Sequence, residues 1–338
     1  MKLHRASLFA LLVFAPGCAV LASHSADPRL RVRGPIPSRT QQPIKLTQLA
    51  FRPRRATVLA EGEREVRVTS AYSSIFENGN IGTERVVLDG EIWRNALAWH
   101  AGVAPRTDLE VELPIVYAAD GFLDRFVEVW HDALGLPGGG REARPRSDYV
   151  MEVEKNGQRI YHLEPNDPGL GDVPIVLAHQ LVLETSDLPA VTVRGGIELP
   201  VGSASRGFGN GRVDVGAGVI AEKSLGRWTV TGGVDFVDTH RPSSFAGSGV
   251  ELRDALDLQA GVEYRWNDEL SLLAGLTLDS QVTGDFRIKE IDREIASFDV
   301  GVAFDVGENS TILVGFEEDV IAKSGPDFTV FASWSAGL

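Results

Sequence analysis

The sequence predicts an all-β fold: an up-and-down antiparallel transmembrane barrel of about twelve strands, with an amphipathic helix in one long loop. Three observations predict it. From about residue 64 onward, apolar and polar residues alternate with a period of two, as in strands that have two different faces. The connections between these strands alternate short and long, as tight turns at one end of a barrel and loops at the other would. After residue 22 no run of 18 apolar residues occurs, and the mean hydropathy is −0.04, as expected for a wall whose lipid-facing and lumen-facing residues alternate. A soluble β-sandwich also alternates; the connection lengths favour the barrel.

Residues 1–22 read as a secretory signal, with a basic start (Lys2, Arg5) and an apolar stretch from Ala6 to Ala15. Cys18, the one cysteine, ends a lipobox-like Phe14-Ala15-Pro16-Gly17-Cys18. It is either lipidated or removed with the signal, and a disulfide within the chain is excluded. Residues 23–62 read as an extended basic periplasmic leader. Eight basic residues between Arg29 and Arg55 face only Asp27, whereas residues 61–338 carry a net charge of −23. Such a leader either docks at or in the mouth of the acidic body or stays a solvated linker. The overall charge of −14 disfavours a nucleic-acid partner.

The barrel is assigned to 63–338. Its strands are expected near 64–73, 84–101, 105–118, 173–185, 189–200, 212–223, 226–238, 250–267, 269–280, 295–306, 310–321 and 326–338. In 105–118, for example, Leu109, Val111, Leu113 and Ile115 oppose Asp108, Glu110 and Glu112. Long connections fall at 74–83, 119–172, 201–211, 239–249 and 281–294. Short ones fall at 102–104, 186–188, 224–225, 268 and 307–309. Within the 119–172 loop a helix is expected over 121–135: Phe122, Phe126, Trp130 and Leu134 recur every four residues, Asp120 caps the start and Gly135 the end. Its apolar side is expected in or over the outer mouth. A hairpin over 149–164 turns at Asn156-Gly157. Its arms are short for a crossing, and if they did cross the barrel would have fourteen strands.

The lumen is expected to carry both signs, from Arg67, Glu110, Glu112, Arg194, Arg212, Asp214, Asp235, Glu263, Arg265 and Asp299. These side chains serve either a selective, water-filled passage or a locked ion-pair filling. On the long loop, Asp120, Asp124, Trp130, His131 and Arg141 join them as ligand candidates. His131, beside Asp132, suits a base or a metal no better than it suits a helix's polar face. No spacing resembles a zinc site and no cofactor is expected.

Several short pieces resemble an uncharacterised family of predicted bacterial outer-membrane barrels, a domain of unknown function. They are Gly34-Pro35-Ile36-Pro37, Gln42-Pro43, Asp89-Gly90-Glu91, Glu112-Leu113-Pro114, Asp120 to Asp124, Trp130-His131, and Gly135 through Arg141. More loosely, Gly169 to Asp172 and Glu198 to Gly202 are similar to elements of barrels linked to uptake of hydrophobic or aromatic compounds. The resemblance implies a Gram-negative outer-membrane location and leaves the activity open. The leading expectation is therefore a monomeric channel or passive transporter for an unidentified small molecule, gated or covered by the 121–135 helix. The alternatives are a non-conducting structural or interaction barrel, then a lipid-modifying enzyme. Expected partners are outer-membrane lipid, lipopolysaccharide and the barrel-assembly machinery.

Overall fold

The structure, a computed structural model, describes residues 31–338 except 137, 139, 142, 143, 243, 244, 246, 251, 282, 285, 289, 290 and 321–324. The expected signal and Cys18 lie outside the described residues. In chain order the elements are β1 (Arg64–Ile81), β2 (Glu84–Ala104), β3 (Thr107–Ala119), α1 (Asp124–Leu134), β4 (Val150–Lys155), β5 (Gln158–His162) and β6 (Gly169–Leu170). They continue with β7 (Val173–Val182), β8 (Ala190–Leu199), β9 (Asp214–Leu225), β10 (Trp228–Asp238), β11 (Ala255–Arg265), β12 (Leu270–Asp279), β13 (Ile295–Asp305), β14 (Ser310–Asp319) and β15 (Phe328–Gly337).

Among the described residues, twelve of these strands form a closed, up-and-down antiparallel barrel: β1 to β3 and β7 to β15. Closure comes from β1 against β15, registered from Glu65↔Gly337 to Ser74↔Phe328. Closing the sheet removes the unpaired edges that an open sheet of this size would expose. The β4–β5 hairpin does not cross. It pairs with the far end of β2, from Glu84↔Lys155 to Asp89↔Val150, and so extends the wall beyond the barrel.

One expected loop is strand. Residues 74–83 are expected as a long connection. Instead β1 runs on to Ile81, pairing with β2 down to Ile81↔Glu84 across a two-residue turn. Local turn propensity is overridden there because β2 supplies a continuous ladder to this extension and is itself paired on its other edge by β4.

The alternation sorts as its period requires. Val68, Leu97, Leu113, Val234, Leu276 and Val314 face outward and are exposed, a belt of apolar side chains around the wall. The opposite faces point into the lumen. At the loop end, β4–β5 (Met151, Ile160), Phe208, Phe245 and Phe286 pack with Ile75 and Leu88 into one apolar cluster across the mouth. Ile44, from the segment before β1, belongs to that cluster.

Candidate functional site

The basic segment before β1 lies inside the barrel. It enters at the turn end, where the Arg33 guanidinium meets Asp305 at 2.6 Å and the Arg33 and Gly34 amides donate to the Glu263 carboxylate at 2.9–3.1 Å. Ile36 packs on Leu273, Ala303 and Leu313, and Ser38 donates to Asp299 at 3.1 Å. At the far tip the Gln42 side chain accepts from the Ile44 and Lys45 amides, folding the chain back on itself. Lys45 faces Asp257 at 3.7 Å.

The returning limb is held by Leu49 N to Asp214 (3.3 Å), Arg52 to Glu112 (2.5 Å), Arg54 to Asp108 (2.6 Å) and Arg55 to Glu222 (2.9 Å). Phe51 sits between Val237, Ala255 and the Arg194 guanidinium, 4.9 Å from its ring centroid. Small lumen-facing residues make the groove. A Cβ on Gly196 or Gly216 would lie within 3.0 Å of the Phe51 ring, and one on Gly301 would press on Ile36. Two gaps between leader and wall, about 30 Å³ each, share Arg39 and Arg52 in their lining, with Glu317 in one and Glu112 in the other, and admit a water or two.

Of the wall charges named from the sequence, Glu112, Arg194, Asp214, Asp235, Glu263, Arg265 and Asp299 are buried. Arg67 pairs with Glu110 at 2.8 Å, Arg94 with Glu112 at 2.5 Å, and Arg194 grips Asp235 through two bonds of 2.6 and 2.7 Å. Glu263 also accepts from Ser271 (2.6 Å), and Asp214 from Asn210 (2.8 Å) and the His240 amide (3.0 Å). Arg265 is buried and donates to the Gly226 carbonyl. Arg212 is an exception: it is exposed in the β8–β9 loop, because β9 starts only at Asp214.

The five loop candidates are not in the lumen, and α1 is not over the mouth. The helix packs on the outside of the wall. Leu123 and Val127 bury against Phe328, with Tyr72, Trp130 and Phe316 around them, all at the loop ends of β1, β14 and β15. Trp130 Nε1 and His131 Nε2 both reach the Glu318 carboxylate, at 3.1 and 3.0 Å. That bond raises the His131 pKa above its ordinary value, against the opposing effect of burial. Arg141 ties the loop down through Asp327 (2.7 Å), Asp124 (2.6 Å) and Ser74 (2.7 Å).

Asp120 does not cap the helix. It stays exposed, its carboxylate accepting from the neighbouring Gly121 amide, and the helix begins after Leu123. Glu91 of β2 takes the capping place, accepting from the Phe122 and Leu123 amides. Gly121, at φ 68°, is required there, because a Cβ would overlap the Glu91 carboxyl. Gly135 ends the helix in the left-handed conformation, as expected.

Three residues that organise these places are not among the candidates the sequence offers: Glu91 and Glu318 outside, and Glu222 inside, where it meets Arg55 of the leader. One signal was available. Glu318 continues the outward face of Ile312, Val314 and Phe316, and a carboxylate on a lipid-side position needs a cover. The family-like pieces Asp89-Gly90-Glu91, Asp120 to Asp124, Trp130-His131 and Arg141 converge on the seat of α1. Gly34 to Pro37 and Gln42-Pro43 lie in the leader.

Among solved structures, the chain is similar to the COG4313 outer membrane channel from Pseudomonas putida F1. The identity is 16%, over 85% of this chain and 99% of that one, with a TM-score of 0.56, a likeness of fold. The NanC porin (9% identity, 80% of this chain and 98% of that one, TM-score 0.46) and the Pseudomonas putida toluene transporter TodX (9%, 88% and 92%, TM-score 0.39) lie too far off to add to it. A family model described as "Protein of unknown function (DUF3187)" matches residues 8–337.

Proposed function

The chain belongs to the DUF3187 family, and we propose that its barrel sits in an outer membrane as a channel for a small molecule, held shut at rest by its own leader. One observation carries the reading. The leader is seated as a ligand is seated: by ion pairs and glycine grooves, with none of its described residues in the sheet. A filling of this kind can leave without unpicking the wall.

The outer-membrane location rests on the outward apolar belt and on both chain ends of the barrel lying at the turn end, the periplasmic side in this reading. The apolar flank of α1 supports it. Phe122, Phe126 and Val129 are exposed, and Phe122 stacks on Tyr72 with centroids 5.5 Å apart, so the flank continues the belt as an interfacial helix would. Outer-leaflet lipid is then the partner of that flank. The gate is assigned to the leader, since α1 lies outside the wall.

A second reading, a permanently filled and non-conducting barrel, is favoured by the apolar cluster across the mouth. Conductance in a planar bilayer separates them. Wild-type protein should be nearly silent, and weakening the leader's ion pairs should produce current steps. Silence from loosened protein that is shown to be folded overturns the channel reading and leaves the filled barrel.

A further inference from the structure

The lumen wall contains an arrangement that a merely filled barrel does not need. Asp235, Asp257 and Asp279 stand directly opposite one another on β10, β11 and β12, through the registers Asp235↔Asp257 and Asp257↔Asp279. Asp299 and Glu317 oppose each other on β13 and β14. Like charges directly opposite on one face destabilise a sheet. An inert core would replace them with apolar pairs, which often cost nothing.

Only part of this charge is answered by the wall. Arg194 takes Asp235, whereas the cation on Asp257 is Lys45 of the leader. Among the described residues, Asp279 Oδ2 is buried in the lumen with no hydrogen-bond donor, and Asp299 and Glu317 lie opposite each other there, with Ser38 of the leader donating to Asp299. The leader itself brings seven basic side chains between residues 31 and 60 and no acidic one. Its arginines occupy carboxylate sites at Asp305, Asp108 and Glu222.

We propose that the lumen vacated by the leader selects cations. The Asp235–Asp257–Asp279 row is the selectivity-determining element, and guanidinium and ammonium groups are the ligand class its sites hold. The inference rests on the channel reading above. The resident leader, whose Lys45 sits on Asp257 of that row, is then a tethered version of the cationic ligand.

The test uses the full chain carrying Arg33→Gln, Arg54→Gln and Arg55→Gln, with Arg33→Gln alone as a milder form should the triple variant fold poorly. A shift in gel mobility on heating shows that each is folded. Reversal potentials across a KCl gradient should give a potassium-to-chloride permeability ratio on the order of tenfold, the scale of one nearby carboxylate's attraction in water. Adding Asp257→Asn and Asp279→Asn should bring the ratio close to one while current persists. A hexa-arginine peptide added on the turn side should block the loosened channel and lose potency against the Asn variant. Conduction without cation preference, or a preference unchanged in the Asn variant, overturns this inference alone. Silence from every folded loosened variant overturns the channel reading and this inference with it.

Discussion

Glu222 offers a direct measure of how firmly the leader is seated. Its buried carboxylate accepts four hydrogen bonds, all from leader residues: Arg55 Nη2 at 2.9 Å and Nε at 3.3 Å, the Ala56 amide at 3.2 Å and Thr57 Oγ1 at 3.3 Å. Glu222→Gln keeps the shape, removes the charge and turns an amide N–H2 toward donors. Breaking one side of a buried ion pair costs ~3–5 kcal/mol, and Arg55 is about a third exposed, so the low end applies. The loss falls almost wholly on the seated leader. About 3 kcal/mol corresponds to a rise of roughly 150-fold in the unseated fraction. Trypsin reads that fraction, because cleavage after Arg54 or Arg55 requires the limb to leave the lumen, and at limiting protease its rate follows the open population. The cleavage rate of Glu222→Gln in detergent should rise about a hundredfold while the barrel stays folded by gel mobility. A change of less than about threefold would refute a leader held by its ion pairs.

Other outcomes follow from the same contacts. Gly196→Val should unseat the returning limb by pressing on Phe51, at an overpacking cost of about 1–3 kcal/mol, and should raise open-channel probability in bilayers. Arg141→Met leaves Asp124 and Asp327 without their cation and should loosen the seat of α1 by roughly 3 kcal/mol. Hydrogen exchange at 124–134 should then speed up a hundredfold or more without change in the wall strands. For His131 the folded pKa is raised, so its pairing with Glu318 contributes fully below pH ~6.5 and is lost as pH rises through the raised value. Trp130, on the same carboxylate, should report that loosening as a red-shifted emission, and His131→Gln should flatten the profile.

Much of the wall was legible because a strand with two different environments must alternate. Leu109 to Ile115 against Asp108 to Glu112 is sorted in the structure as the period requires. The β4–β5 hairpin was legible as an extension because its arms are too short to cross. The excess of arginine before residue 60 pointed to the acidic body, but a charge sum is blind to inside and outside. The position of α1 was not legible for a related reason. An apolar stripe is equally satisfied by a lumen, a mouth or an outer wall, and what decides here is the pair of carboxylates, Glu91 and Glu318, that the wall presents to it. The cap at Asp120 failed on competition, since Glu91 reaches the same amides from a rigid strand.

The leader joins β1 through a few residues that are themselves pinned, with Gly62 N bonded to Gly102 O and Gly102 N to Glu63 O, each at 2.9 Å. A displaced leader therefore remains a ligand at an effective concentration on the order of millimolar, as short flexible tethers give. Return to the lumen is a first-order event, independent of how much protein is present. Any external cation must outcompete that local supply. Openings should accordingly be brief and self-terminating, and a free leader peptide should compete only near millimolar levels.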